Sequence, residues 1–220
     1  MSQPTLFSYV VRYDDGAAPN PYGDVCTLVI CKPVIRKTAK VGDWIVGLGA
    51  KSTPVKKDYS GRIVYVMRVT KKMTMKEYDK YTKKYLPEKI PDLSSAERHR
   101  WLGDSIYNFS AKGIPQIKGV HKRENRKKDM SGKFALLSNE FVYFGDQAVP
   151  LPSPLKGILH SNQNHRSTLN GPYVNVFLTW WNTNRTDFAS RRVRGEPQWD
   201  YFGDPRNRKA CAARRRRCGK

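Results

Sequence analysis

The sequence predicts an α+β fold in which short β strands predominate, accompanied by two short helices and followed by a basic carboxy-terminal extension. Three observations support this prediction: apolar runs that alternate and end at turn residues, helix-start motifs at only two places, and a composition that turns basic after residue 184. Hydrophobic residues make up 39% and aromatic residues 11% of the 220 residues, which suffices for one core. We therefore predict one domain over residues 1–184 and a basic, partly disordered tail over residues 185–220.

The central strands are predicted between Ile35 and Thr70. Val41-Gly42-Asp43 is typical of a turn, because glycine adopts positive φ and the aspartate carboxylate accepts backbone N–H bonds. Gly47 interrupts the strand that follows, and such a glycine often marks a bulge or the close approach of a ligand. Residues 62–70 alternate strictly and predict the next strand. Further strands are predicted at residues 6–13, 25–32, 134–137, 141–144 and 173–181.

Two capping boxes predict where helices begin. Thr74–Glu77 opens a helix that ends near Tyr85, because Pro87 prevents its continuation. Ser94–Glu97 opens a shorter helix that ends before Gly103. The two helices therefore follow the central strand pair in the sequence.

The formal net charge of +22 is the strongest indication of function. Residues 185–220 hold 12 Lys and Arg against 4 Asp and Glu, so the excess extends over the folded part as well. This favours a polyanionic partner, and we predict nucleic acid, DNA rather than RNA; a merely solvated basic surface is the alternative. Residues 112–133 hold 8 Lys and Arg against 2 acids and predict an accessible loop. The predicted phosphate-binding residues are Lys122, Arg123, Arg126, Lys127, Lys128, Arg214, Arg215, Arg216 and Arg217.

Several classes of protein are not indicated. There is no apolar run long enough for a membrane span and no signal peptide pattern, so we expect a cytoplasmic protein without membrane contact. Four cysteines without a Cys-x-x-Cys motif argue against a disulfide scaffold or a zinc knuckle. His160 and His165 are five apart, a spacing that does not suit a helical metal site. No phosphate-binding glycine motif or nucleophile motif is present, and we predict no metal and no cofactor.

The order of a basic residue, Val41-Gly42-Asp43, an apolar strand, a loop and a second apolar strand resembles the central strand pair of PUA-like barrels, particularly their EVE and ASCH branches. The longer run from Ser8 through Ala18-Pro19-Asn20-Pro21 to Trp44 resembles, more specifically, the nucleotide modification associated domain 2 family of phages and bacteria. The resemblance covers roughly residues 5–150. It implies a mixed or antiparallel barrel that works beside DNA-modification proteins. Because the family's role was inferred mainly from gene neighbourhood, the resemblance implies no catalytic mechanism.

Such barrels hold a base or nucleotide in a cleft beside the central strands, so we predict a pocket for a nucleotide or modified base. An extruded base needs an aromatic face for stacking and a few polar groups for its edge. Core packing is the alternative for the aromatic residues on strands. The predicted base-binding residues are Tyr9, Arg12, Asn20, Arg36, Trp44, Gly47, Tyr65, Arg68, Tyr107 and Asn108.

Two other functions remain open from the sequence. The first is an enzyme of nucleotide or base modification that uses the carboxylates of Asp14 and Asp104, although turn formation also explains an aspartate near a glycine. The second is a nucleic-acid-packaging protein that acts through charge alone. An enzyme predicts acids and a nucleophile in one cleft, a binding module predicts an aromatic pocket, and a packaging protein predicts neither.

Overall fold

The computed structural model describes residues 3–53, 56–161 and 164–198. Over these residues the strands are β1 (Leu6–Val11), β2 (Cys26–Leu28), β3 (Trp44–Gly49), β4 (Arg62–Arg68), β5 (Lys71–Thr74), β6 (Phe134–Ser138), β7 (Glu140–Tyr143), β8 (Val149–Pro150) and β9 (His165–Arg166). The α-helices are α1 (Pro33–Thr38), α2 (Met75–Tyr85), α3 (Arg126–Ser131) and α4 (Val174–Ser190). Short 3-10 helices occupy Pro87–Lys89, Arg98–Leu102, Arg123–Asn125, Gly145–Gln147, Ser153–Ile158 and Thr168–Tyr173.

The strands form two sheets, and the α+β class is confirmed. The larger sheet has the order β7-β4-β3-β1-β9, with β8 also paired to β4, and the smaller has the order β2-β6-β5. β1 and β3 run parallel, whereas β3 and β4 are antiparallel with a register shift between Gly47 and Leu48. Among the described strands we find no closed barrel.

Alternation along the central strands produces two cores, one on each face of the larger sheet. On β1 and β4, Tyr9 and Tyr65 face the core shared with the smaller sheet. On β3 and β4, Trp44 and Val66 face the second core, which α4 covers with Phe177 and other apolar residues. The period of two along a strand is what divides these residues between the faces.

The predicted turn at Gly42 and the first of the two predicted helices, which is α2, are both present. Gly42 has a φ of 98°, and the Asp43 carboxylate accepts the backbone N–H groups of Thr5 and Lys40 at 2.8 Å each. Thr74 and Glu77 form the predicted capping box at the start of α2. The second predicted helix is present only as the short 3-10 helix Arg98–Leu102.

The prediction of a strand at residues 173–181 was wrong, because residues 174–181 belong to α4 and Tyr173 ends the preceding 3-10 helix. Val174, Phe177, Trp181 and Phe188 are its buried residues, and spacings of three, four and seven place them along one side of a helix. The predicted boundary at residue 184 falls inside α4. Residues beyond the helix return to the sheet, where Tyr143 exchanges backbone hydrogen bonds with residues 192 and 194 at 2.7 and 2.8 Å.

Two further helices lie where the sequence predicted a strand end and a loop. Of the strand predicted at residues 25–32, only Cys26–Leu28 is a strand, and α1 begins at Pro33, whose fixed φ and missing N–H suit a helix start. The basic loop predicted at residues 112–133 contains α3. None of the helices in the described ranges is both long and apolar enough to cross a membrane.

Candidate functional site

The aromatic residues predicted to stack on a base lie in the two cores. Tyr65 Oη donates to Tyr9 Oη at 2.8 Å, and both rings are buried. The Trp44 ring lies 4.6 Å, between centroids, from that of Trp181 in α4. A Cβ on Gly47 would come within 2.3 Å of the Tyr65 ring, so this glycine makes room for a core tyrosine. These residues therefore hold the sheet together, and a nucleotide reaches them only if the core opens.

The predicted polar contacts divide between surface and interior. Arg12 is exposed at the end of β1, and Arg68 is exposed on β4, where it pairs with Glu140 at 3.1 Å. Asn108 is half-buried and accepts a hydrogen bond from Lys83 Nζ at 2.7 Å. The guanidinium groups of Arg12 and Arg68 are thus accessible to a phosphate.

Asn20 and Asp104 belong to a buried network around Lys89. Lys89 Nζ donates to Asn20 Oδ1 at 2.7 Å and to the carbonyl oxygen of Val25 at 2.6 Å. Asp104 accepts from Thr27 Oγ1 at 2.5 Å and from Tyr78 Oη at 2.6 Å. Burial lowers the pKa of Lys89 to about 8, although the charge of Asp104 opposes this. The geometry gives Asp104 a structural role in this network.

Asp14 is a buried carboxyl group in different surroundings from Asp104. Tyr143 Oη donates to its Oδ2 at 2.8 Å, while Oδ1 has no hydrogen-bond partner among the described residues. Burial raises the pKa of Asp14 to about 7, against the hydrogen bond from Tyr143, which lowers it. Near neutral pH this carboxyl group is therefore partly protonated.

The raised pKa of Asp14 predicts a pH-dependent contribution to stability. Because its pKa of about 7 in the folded state exceeds the ordinary value of 3.8, this contribution is full below pH 3.8 and is lost as pH rises through 7. Asp14→Asn removes the ionisation, so at pH 8 we expect the variant to be more stable than the wild type by up to about 3–4 kcal/mol. Urea unfolding of both proteins at pH 5 and pH 8 measures this, and an equal difference at the two pH values would contradict it.

Cys31, His121 and Asp129 form a hydrogen-bonded chain that the sequence did not indicate. His121 Nε2 lies 3.3 Å from Cys31 Sγ, and His121 Nδ1 lies 2.7 Å from Asp129 Oδ2. The Asp129 side chain is buried, that of His121 is 11% exposed, and Cys31 is partly exposed. Burial alone would lower the pKa of His121, but hydrogen bonds with Asp129 and Cys31 outweigh it and raise the pKa to about 10. His121 is therefore protonated at neutral pH and donates to both neighbours.

Tyr107 and Arg36, which were predicted to contact a base, instead form hydrogen bonds with Asp129 and Cys31. Tyr107 Oη donates to Asp129 Oδ2 at 2.8 Å. Arg36 is fully buried and donates to the carbonyl oxygens of Cys31 at 2.8 Å and of Phe134 at 2.9 Å, as well as to that of Asp129. The backbone N–H of Cys31 donates to Asp129 Oδ1 at 3.1 Å. The three segments that carry Cys31, Asp129 and β6 are thereby fixed against one another.

The basic segment, residues 122–128, lies directly between His121 and Asp129 in the sequence. Arg123, Lys127 and Lys128 are exposed, and Lys122 and Arg126 are half-buried. These five are among the predicted phosphate-binding residues; Arg214–Arg217 lie outside the described residues. The basic segment thus borders the group formed by Cys31, His121 and Asp129, which we call the Cys31 cluster.

Burial makes the surface more basic than the composition indicates. In the described part of the chain, five carboxylate side chains are buried, namely those of Asp14, Asp43, Asp79, Asp104 and Asp129. The buried basic side chains there are those of Arg36 and Lys89. The acids are thus preferentially withdrawn from solvent, and the accessible charge is dominated by Lys and Arg.

A groove of about 600 Å³ lies between the loop that holds Tyr22 and the segment after α4. Arg191 and Arg192 line it, and the Arg192 guanidinium lies 6.0 Å from the centroid of the Phe141 ring beneath. Within the described ranges, no three His, Cys, Asp or Glu side chains are arranged to hold a metal ion.

Little in the sequence indicated that Cys31, His121 and Asp129 would come together. Cys31 and His121 are ninety positions apart, and no motif joins them. The antiparallel pairing of Leu28 with Leu136 places the residues after β2 beside those before β6, and so brings Cys31 to Asp129. The one available signal was a histidine and an aspartate flanking a basic run, and it is too common to be specific.

A comparison with protein families gives a match over most of the chain. The family described as nucleotide modification associated domain 2 matches residues 3–202. Neither the curated proteins nor the solved structures include one with significant similarity to the chain.

Proposed function

Because the chain belongs to the nucleotide modification associated domain 2 family, we propose that it binds nucleic acid, with duplex DNA as the preferred form, in the course of nucleotide modification. The distribution of charge carries this proposal. A net charge of +22, with carboxylates buried in preference to basic side chains, repels itself unless a polyanion neutralises it. Other DNA-modification proteins are the further partners that fit this role.

The basic segment is the proposed main contact with phosphates. Arg123, Lys127 and Lys128 extend into solvent around α3, while Arg126 packs over the Tyr107 ring at 5.6 Å and donates to the carbonyl oxygen of Ile114. The segment is thus anchored to the core at one side chain and exposed at its neighbours. Arg12 and Arg68 supply further accessible guanidinium groups.

The groove beside Tyr22 is the proposed position of a nucleotide. Its volume of about 600 Å³ lies within the range typical of small-molecule sites. Arg191 and Arg192 would pair with a phosphate, and the Tyr22 ring offers a surface for a base. This groove takes the place of the pocket predicted around Tyr9 and Tyr65. We also propose that the two sheets are distantly related to PUA-like barrels.

Salt titration of duplex DNA binding tests the proposal. Each phosphate neutralised contributes about 0.9 to the slope of log affinity against log salt, so contacts from the basic segment alone predict a slope of about −4 or steeper. An affinity that does not change between low and physiological salt would contradict nucleic-acid binding through this surface.

A matched variant separates the contribution of the described residues from that of the carboxy-terminal arginines. In the full-length chain, Arg214, Arg215, Arg216 and Arg217 are replaced by glutamine, which removes charge outside the described residues. We expect a smaller slope that remains clearly negative, because the basic segment is unchanged. If the variant lost all DNA binding, the tail alone would account for it. Titration with mononucleotides, in parallel, distinguishes a nucleotide-binding groove from charge-only packaging, which predicts no mononucleotide binding.

A further inference from the structure

We propose that Cys31 is the nucleophile of an acyl-transfer site, with His121 as its general acid and base and Asp129 as the residue that positions His121. The substrate class is an ester, thioester or amide linked to a nucleotide. The nucleotide part of that substrate rests on the proposed function, whereas the nucleophile rests on the geometry of the three side chains.

The order of the three groups is that of a nucleophile, a base and an orienting carboxylate. His121 Nε2 faces Cys31 Sγ at 3.3 Å, and His121 Nδ1 faces Asp129 Oδ2 at 2.7 Å. Nucleophilic cysteines and serines are activated by such an arrangement on unrelated folds.

The backbone presents Cys31 in a conformation that suits a nucleophile. β2 ends at Leu28 and α1 begins at Pro33, so Cys31 lies on a short strand-to-helix turn. Its φ is 61°, and that of Lys32 is 37°, both in the left-handed region that side chains other than glycine rarely occupy. Hydrolases expose a nucleophilic serine on a strained strand-to-helix turn of this kind. The hydrogen bond from the Cys31 N–H to Asp129 fixes the turn to the rest of the triad.

The proposed reaction has two steps that balance. Cys31 Sγ, as the thiolate, attacks the acyl carbon; a C–S bond forms, the bond from that carbon to the leaving oxygen, nitrogen or sulfur breaks, and His121 Nε2 gives its proton to the leaving group. Water or an amine acceptor then attacks the thioester, His121 takes the acceptor's proton, and the thiolate is released. Asp129 accepts a hydrogen bond from His121 Nδ1–H throughout and so keeps Nε2 directed at the sulfur atom.

The charge around Cys31 selects an anionic substrate. The exposed Lys127 and Lys128 lie on α3 just before Asp129, whereas Lys32, which follows Cys31 in the sequence, has its Nζ 4.3 Å from the centroid of the buried Tyr9 ring. Cationic side chains at the rim attract phosphate groups from solution. An acyl group joined to a nucleotide, or to a base in DNA, offers a carbonyl carbon to Cys31 and phosphate groups to the neighbouring lysines.

The test uses p-nitrophenyl acetate with a full-length chain in which Cys211 and Cys218 are replaced by serine, so that their thiols do not react. We expect a burst of p-nitrophenol equal to the protein concentration, and peptide mass spectrometry that finds one acetyl group on Cys31. We expect the buried Cys26 to stay unmodified. No burst, or acetylation at another residue, would overturn the proposal.

Variants identify the roles of the two partners. His121→Gln is expected to slow the burst about 100-fold, whereas His99→Gln, a matched change at a distant histidine, leaves it unaltered. For Asp129, the readout is the proton NMR signal of the buried His121 Nδ1–H, which we expect far downfield and lost in Asp129→Asn together with the burst. Equal burst rates in wild type and His121→Gln would overturn the triad.

The two proposals fail separately. DNA affinity is measured on the same wild-type protein by salt titration, and the burst needs no DNA. A burst without DNA binding would leave the nucleophile and remove the nucleic-acid substrate, whereas DNA binding without a burst would remove the nucleophile alone.

Discussion

Replacing Asp104 with alanine is expected to lower the free energy of unfolding by about 3–5 kcal/mol. The change leaves Lys89 buried without a compensating charge, and it leaves the hydroxyl groups of Thr27 and Tyr78 without their acceptor. Removing the nearby carboxylate is costly because the charge of Lys89 stays in a region of low dielectric constant. Urea denaturation, read as the shift of the midpoint at constant slope, measures the loss.

The matched control for Asp104 is Asp58→Ala, which removes an exposed carboxylate from a loop. We expect only a small change in its urea midpoint. Similar midpoints for the two variants would show that the Lys89 network contributes nothing particular to stability. The Asp104 result also bears on the enzyme alternative that used Asp104, because a buried carboxylate that accepts hydrogen bonds from Thr27 and Tyr78 serves stability rather than a substrate.

Gly47→Val is expected to lower the free energy of unfolding by about 3 kcal/mol, and to lower the melting temperature accordingly. A Cβ at this position would lie 2.3 Å from the Tyr65 ring and 2.9 Å from Val11, both of which are buried. The neighbours cannot withdraw without disturbing the hydrogen bond between Tyr65 and Tyr9. Thermal melting measures the effect.

Gly171→Ala is the control for the glycine experiment, because outside its own stretch of chain no atom lies within 4 Å of the Cβ that it would add. Its melting temperature should stay close to that of the wild type. If Gly47→Val melted like the wild type but bound no mononucleotide, the glycine would line a ligand site instead of a core.

Local signals predicted the parts of the fold that depend on neighbours in the sequence. The turn at Gly42 and the capping box at Thr74 were identified, because each requires particular residue types at fixed short spacings. α4 was mistaken for a strand, because Phe177, Trp180 and Trp181 make the run apolar on several faces and hide its helical period. The length of the segment and the further apolar residue Phe188 were the signals that could have corrected this prediction.

The candidate sites depended on tertiary structure and were harder to predict. Aromatic residues such as Tyr9 and Tyr65 suit both stacking on a base and packing in a core, and burial decides between these roles only after the sheet is formed. Cys31 meets Asp129 only because β2 pairs with β6. The basic segment was visible at once, since charge is a property of composition and needs no fold to reveal it.

The most direct test of the central claim, that the basic segment is the nucleic-acid contact, is a comparison of two charge reversals. One variant changes Arg123, Lys127 and Lys128 to glutamate, and the other changes Lys76, Lys80 and Lys84, exposed residues of α2, in the same way. Both lower the net charge equally, and duplex DNA affinity is measured for each at one salt concentration. We predict that the first variant binds at least about 10-fold more weakly than the second and loses about three units of salt slope. Equal losses in the two variants would contradict a defined contact surface.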